Sequence, residues 1–135
     1  MKPETRKYLD KARSDLADAR KIVGIGLAKV AARSAYFAVF HAAEGFIFER
    51  SGKVAKTHSG VRSEFARLAR AAPGIDRSFS TFLAEAYKYK DISDYRVDES
   101  DDVTMDEANA AIASAERHLS GIASFLEKSN GSPKA

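Results

Sequence analysis

The sequence predicts an all-α domain, an up-and-down bundle of four to five helices. Three observations carry this. Apolar residues recur at three- and four-residue steps along almost the whole chain, the first three breaks between periodic segments fall at glycine or proline, and no segment alternates apolar and polar residues as a half-buried strand would. The connections are short, which favours antiparallel neighbours.

The first helix is expected from about Glu4 to Val23. Pro3 stands where a first-turn proline is tolerated, and Glu4 suits the positive end of the helix dipole. Tyr8/Leu9, Ala12, Leu16, Ala19 and Val23 form its apolar stripe, and Gly24 and Gly26 end it. The second helix, about Ala28 to Arg50, is the most apolar part of the chain. Val30, Tyr36, Phe37, Val39, Phe40, Phe46, Ile47 and Phe48 lie around much of its circumference, so it should be covered on several sides and be the central helix, with a second subunit as one possible cover. Gly52 is its natural stop.

A polar connection over 53–58 leads to a shorter helix, about Ser59 to Ala71, striped by Val61, Phe65 and Leu68. Pro73-Gly74 breaks the chain. A fourth helix, about Ser78 to Tyr95, turns Phe79, Phe82/Leu83, Ala86 and Tyr89 inward, and a charged loop from Arg96 to Val103 follows. The last helix starts on a capping box, Thr104 with Glu107 three residues on. Ala108, Ile112, Ala115, Leu119, Ile122 and Leu126 then form a bundle seam. Residues 1–128 read as one domain and 129–135 as a flexible tail.

Composition bounds the function. A chain of 135 residues suits one domain that needs no disulfide or metal to hold it. The absence of cysteine excludes disulfides, thiolate zinc sites and cysteine nucleophiles. No apolar core follows Met1-Lys2-Pro3, and no apolar run approaches the roughly 20 residues that span a bilayer, so a cytoplasmic protein off the membrane is expected. Lys and Arg number 22 against 19 Asp and Glu, a formal net charge of +3, with the signs interspersed. That balance permits RNA as a partner without predicting it.

Two clusters stand out. Arg33, Phe37, His41, Glu44 and Phe48 follow one another at steps of four, four, three and four, which lines an Arg, a His and a Glu along one stripe of an apolar helix. Buried charge is costly unless paired, so the stripe marks either an interior ion pair or a cleft. Lys90, Asp91, Asp94 and Tyr95 close the fourth helix, with Tyr87 and Tyr89 nearby. Lys90 and Asp94 one turn apart can pair at the surface, and the tyrosines can be ordinary packing; aromatics beside a lysine also stack bases and contact phosphate. Lys56-Thr57-His58-Ser59-Gly60 precedes a helix, where Thr57 or Ser59 can cap it or, with backbone N–H groups, hold an anion. His41, His58 and His118 are the only histidines and none is four residues from another, so no helical metal pair exists. Gly24-Ile25-Gly26 lacks the third glycine and the strand of a dinucleotide loop. No hydrolase motif is present.

Ala32-Arg33-Ser34-Ala35-Tyr36-Phe37-Ala38-Val39-Phe40-His41-Ala42-Ala43 resembles the central-helix signature of small bacterial and archaeal HEPN proteins. Lys56-Thr57-His58-Ser59-Gly60-Val61 resembles their loop before the third helix, and Ala86 to Tyr95 their segment ending in Asp-Tyr. The three stand in the family's order over about Thr5 to Leu126. The resemblance implies a helical bundle, usually a homodimer, that works near RNA or nucleotides without a cofactor. Many members are metal-independent ribonucleases, often toxins paired with a small nucleotidyltransferase antitoxin. Their catalytic pattern is an Arg followed, after four to six residues, by a His; the Arg stabilises charge at the phosphate and the His moves a proton.

This chain departs from that pattern. Lys90 stands where the Arg is expected, the fourth helix has no His, and the nearest match is Lys90, four residues, Tyr95. Lys keeps the charge but loses the planar fork, and Tyr is a poor base at neutral pH. The resemblance thus points to Lys90, Asp94 and Tyr95 as a degenerate ribonuclease motif, with Arg33, His41, Glu44, Lys56, Thr57 and His58 as binding residues. The alternative is a non-catalytic dimeric binding or scaffold protein.

Overall fold

The computed structural model describes residues 1–98 and 102–131, with side chains through 128. The described chain is five helices: α1 (Pro3–Gly24), α2 (Ala28–Ser51), α3 (His58–Arg70), α4 (Ser78–Tyr95) and α5 (Met105–Gly131). Boundaries lie within a residue or two of the expected ones, except that α5 continues through Gly131, three residues into the expected tail; 132–135 lie outside the described residues.

The centre is α2, which packs against all four other helices, most extensively against α1. This accounts for its apolar circumference: Tyr36, Val39, Phe46 and Ile47 are essentially inaccessible to solvent. Because other helices of the same chain cover α2, its apolar content is no argument for a second subunit. Of α2 itself only Val30, in its first turn, is a large apolar residue left exposed; the others are Ile25 and Leu27 in the α1–α2 turn, Val54, Tyr95, Val97 and Met105.

The start of α1 is fastened to the end of α2. Thr5, fully buried, donates its hydroxyl to Glu49 Oε1 at 2.9 Å, and the Lys2 amide donates to the same oxygen at 2.9 Å. Burial pushes the Glu49 carboxyl up, but these two donors outweigh it and the net shift is downward. At Gly45 the helices approach so closely that a Cβ would stand 3.1 Å from Tyr8 Cβ. Gly52 ends α2 at φ 69°, its N–H donating to the Phe48 carbonyl at 2.8 Å, a left-handed cap that suits glycine.

Phe46, Phe65 and Phe79 pack in succession, the first pair tilted and the second stacked, with ring centroids 5.1 and 4.4 Å apart, and tie α2, α3 and α4 together. Truncating such a buried ring to alanine costs about 3–5 kcal/mol. The expected seam of α5 is buried at every position from Ala108 to Leu126. Its capping box forms in both directions, Glu107 N–H to Thr104 Oγ1 at 3.1 Å and Thr104 N–H to Glu107 Oε1 at 3.2 Å.

Candidate functional site

Packing α4 against α2 brings the two polar clusters of the sequence into contact. Arg33 on α2 holds Asp94 on α4 through both carboxylate oxygens, Nε to Oδ1 at 2.6 Å and Nη2 to Oδ2 at 3.3 Å. Lys90 reaches the same carboxylate, Nζ to Oδ2 at 3.2 Å, and the Tyr95 hydroxyl at 3.4 Å. Its ammonium also sits 4.6 Å from the Tyr95 ring centre, while Arg33 sits 4.7 Å from that of Phe37.

Lys90 is not the surface half of a helical ion pair: only 9% of the residue is exposed. Burial works to depress its ammonium, but the bonds to Asp94 and Tyr95 prevail and its pKa is raised, so it is charged at neutral pH. The Arg33 fork, with Lys90, holds the Asp94 carboxyl below its ordinary value against the opposing effect of burial.

The loop before α3 adds a second layer. Thr57 caps the helix, its Oγ1 accepting the Gly60 N–H at 2.9 Å, so its side chain is taken up by structure. His58, the first residue of α3, turns into an aromatic box. Its ring centre is 4.4 Å from Phe40, 5.3 Å from Tyr87 and 5.8 Å from Tyr36, and its Nδ1 is 2.6 Å from the Tyr36 hydroxyl oxygen. Arg62, one turn on, lies 4.8 Å from the Tyr87 ring centre and beside the Tyr36 hydroxyl; its Nη1 is buried with no hydrogen-bond partner.

The hydrogen of the Tyr36–His58 contact follows from the partners. Burial drives the Tyr36 phenol far above its usual range, against the pull of Arg62, so it keeps its proton. Arg62 can only donate, which leaves the phenol's hydrogen for His58 Nδ1. Burial, followed by the charges of Lys90 and Arg62, lowers the His58 pKa, so the ring is neutral. A neutral ring that accepts at Nδ1 carries its hydrogen on Nε2, where it is free to donate, since no hydrogen bond engages that nitrogen among the described residues.

The cleft therefore holds two cations, Arg33 and Lys90, on one carboxylate, Asp94, with a third, Arg62, beside the neutral imidazole donor and the tyrosine rings. Such a set attracts an anion and offers ring faces to a base. Arg62 and Tyr36 were not singled out in the sequence. Arg62 was in principle legible, since it stands one helical turn after His58.

The remaining candidates divide. His41 borders the cleft by stacking on Phe37 at 5.8 Å, but its Nδ1 is committed to Asp15 of α1 at 2.6 Å and its Nε2 faces Glu44 at 3.7 Å. Asp15 also takes Lys11 at 3.2 Å. His41 and Glu44 thus belong to a polar network with Asp15 that joins α1 to α2. Burial raises the Glu44 carboxyl, against the charge of His41. Lys56 is exposed and makes no polar contact among the described residues. No cluster of metal-ligating side chains occurs among the described residues, and no helix there is long and apolar enough to cross a membrane.

The HEPN domain family model matches residues 5–122. The crystal structure of TT1696 from Thermus thermophilus shares the fold, with a TM-score of 0.70 and 22% identity over 92% of this chain and 99% of that one. No curated protein matches the chain.

Proposed function

The chain belongs to the HEPN family, and from that premise we propose a helical module that acts on or near RNA or nucleotide, paired in a toxin–antitoxin-like arrangement with a nucleotidyltransferase partner, its ribonuclease motif degenerate at Lys90, Asp94 and Tyr95. The observation that carries this is the gathering of Arg33 and Lys90 on the Asp94 carboxylate with Arg62, His58 and the tyrosine rings beside them. In this reading a phosphate sits against Lys90 and Arg62 and accepts from His58 Nε2–H, while Tyr87 and Tyr95 stack bases. Thr57 contributes the helix cap that places His58, and Lys56 lends charge at the rim.

Two features favour the non-catalytic, binding form of the module over a ribonuclease. Asp94 occupies the Arg33 fork and Lys90 at once, so neither is free to follow charge developing on a phosphate. His58, with its hydrogen on Nε2, presents a donor and no acceptor nitrogen to take a proton from an attacking hydroxyl. The test is incubation of RNA with the purified protein without metal, beside Lys90→Ala and Tyr95→Phe, with binding measured in parallel. Binding that weakens in Lys90→Ala, with intact RNA throughout, is the expected result. Cleavage by the wild type that both variants lose would make the chain a ribonuclease with a Lys–Tyr motif. No binding at all would remove RNA from the reading.

The family resemblance also supports a homodimer. We put its contact at the exposed Leu27, Val30 and Met105, which border one surface depression, with Ile25 beside them in sequence. Light scattering should give a dimer mass that falls to the monomer in Leu27→Asp/Val30→Asp; a monomeric wild type would remove this part.

A further inference from the structure

A groove lies between the end of α3 and the start of α4, lined by residues other than those of the cleft. That groove has a volume of about 640 Å³; it is floored by Ala66, Ala69 and Ala72 and edged by Arg70 and Arg77. Both arginines are exposed, and neither makes an ion pair or hydrogen bond among the described residues. This sets them apart from Arg67 on the same helix, which is paired with Glu64.

Helical geometry sets the groove in line with the cleft. On α3, Arg62, Ala66 and Arg70 follow at steps of four and so share a face. Arg77, the residue that caps α4, and Ser80 and Tyr87 on it stand three and seven residues apart and do the same. Arg62 meets Tyr87 at the cleft end, while Arg70 and Arg77 line the groove at the other, so the helices run antiparallel along it. Arg62 to Arg70 is two turns, roughly 12 Å at 1.5 Å per residue.

We propose that the α3–α4 groove is the track of a single-stranded RNA backbone, with Arg70 and Arg77 each neutralising a phosphate upstream or downstream of the nucleotide held at Arg62, Lys90 and Tyr87. This rests on the reading of the cleft as an RNA site and adds the strand's path and its single-stranded state. The roughly 12 Å track covers about three phosphates at the ~3.4 Å axial spacing of a stacked strand. The alanine floor leaves room for a backbone to lie between the helices, and two unpaired guanidinium groups supply the counter-charge. A groove of about 640 Å³ has room for a short stretch of one strand and not for a duplex, which selects the single strand.

The experiment is fluorescence anisotropy with a labelled single-stranded oligoribonucleotide across a series of salt concentrations, with the corresponding RNA duplex alongside. The proteins are the wild type, Arg70→Gln/Arg77→Gln, Arg70→Lys/Arg77→Lys, Arg67→Gln and Lys90→Gln. Each lost phosphate contact on a single strand should make the slope of log K against log salt shallower by about 0.7, so the Gln pair should lose about 1.4 while the Lys pair and Arg67→Gln keep the wild-type slope. Equal melting temperatures show that the exposed substitutions leave the fold intact. RNA binding that Lys90→Gln weakens but the Gln pair leaves unchanged overturns the track and spares the cleft. Tighter binding of the duplex also overturns the track. A wild type that binds neither RNA overturns the reading of the cleft, and the track with it.

Discussion

Arg33 and Asp94, 61 residues apart, form a two-point guanidinium–carboxylate pair that joins α2 to α4, and Lys90 shares the same carboxylate. The pair both fastens the two helices and neutralises charge in the cleft, so removing it should have two opposite effects. Asp94→Asn should lower stability by about 1 kcal/mol, a modest figure because the Arg33 side chain is 37% exposed. It should also tighten polyanion binding several-fold, since Arg33 and Lys90 are released. Thermal melts and RNA titration check the two arms; weaker binding in Asp94→Asn would mean that the carboxylate's part is to position the cations.

The same carboxylate sets an acid limit. Asp94 has its pKa lowered in the fold, first by Arg33. Its stabilisation is complete above the unfolded aspartate value near 3.9 and is lost as pH falls through the lower folded value. The stability gap between wild type and Asp94→Asn should therefore stay constant from neutral pH to about 4 and close below it, as read by chemical denaturation over that range.

His58 should be neutral and protonated at Nε2 at pH 7, and should remain so somewhat below the ordinary histidine value, because burial and the Lys90 and Arg62 charges oppose its protonation. Nitrogen NMR of the imidazole reads both points directly. In Tyr36→Phe the hydroxyl that selects this tautomer is gone, and a mixture of tautomers is expected. A protonated His58 at pH 7 would contradict the assignment.

His118 is buried against Phe79 and Phe82, with ring centres at 5.2 and 5.5 Å, and its Nε2 has no hydrogen-bond partner. Burial, then Arg117, lowers its pKa. A histidine lowered in the fold resists a proton that the unfolded chain accepts, so stability should fall as pH drops below about 6.5. His118→Leu should be as stable as wild type or up to about 1 kcal/mol more so at pH 7.5, and should lose less on going to pH 5.5. Melting curves at the two pH values decide it; a large loss at pH 7.5 would show that the ring's contacts outweigh its orphaned nitrogen.

Thr57→Ala removes the α3 cap and should cost about 1 kcal/mol, with Thr57→Ser close to neutral. Because the cap sets the first turn of α3, the alanine variant should also broaden the His58 resonances. Unchanged stability would return Thr57 to the pool of free binding residues.

The five helices were legible because each announces itself locally. Pro3, the Thr104–Glu107 box and Gly52 mark ends, and the spacing of Leu9, Ala12 and Leu16 or of Ile112, Ala115 and Leu119 marks a buried face. Periodicity and capping act within a turn or two of chain, so sequence order contains them. The central place of α2 was legible for the same reason: apolar residues around a whole helix need cover on every side.

Which partners the polar residues take was not contained there. Arg33, His41 and Glu44 share one stripe of α2, yet Arg33 turns to Asp94 on α4 while His41 and Glu44 join Asp15 on α1. Tyr36 reads as a core aromatic and is one, but its hydroxyl sets the tautomer of a histidine on another helix. The family, the number and limits of the helices and their buried faces could all be read along the chain, because they follow from local periodicity and motif. That Arg33, His58, Arg62, Lys90 and Asp94 meet emerges only once the helices are packed. Long-range pairing depends on how helices cross, and the crossing is set by packing of the whole core rather than by any one segment.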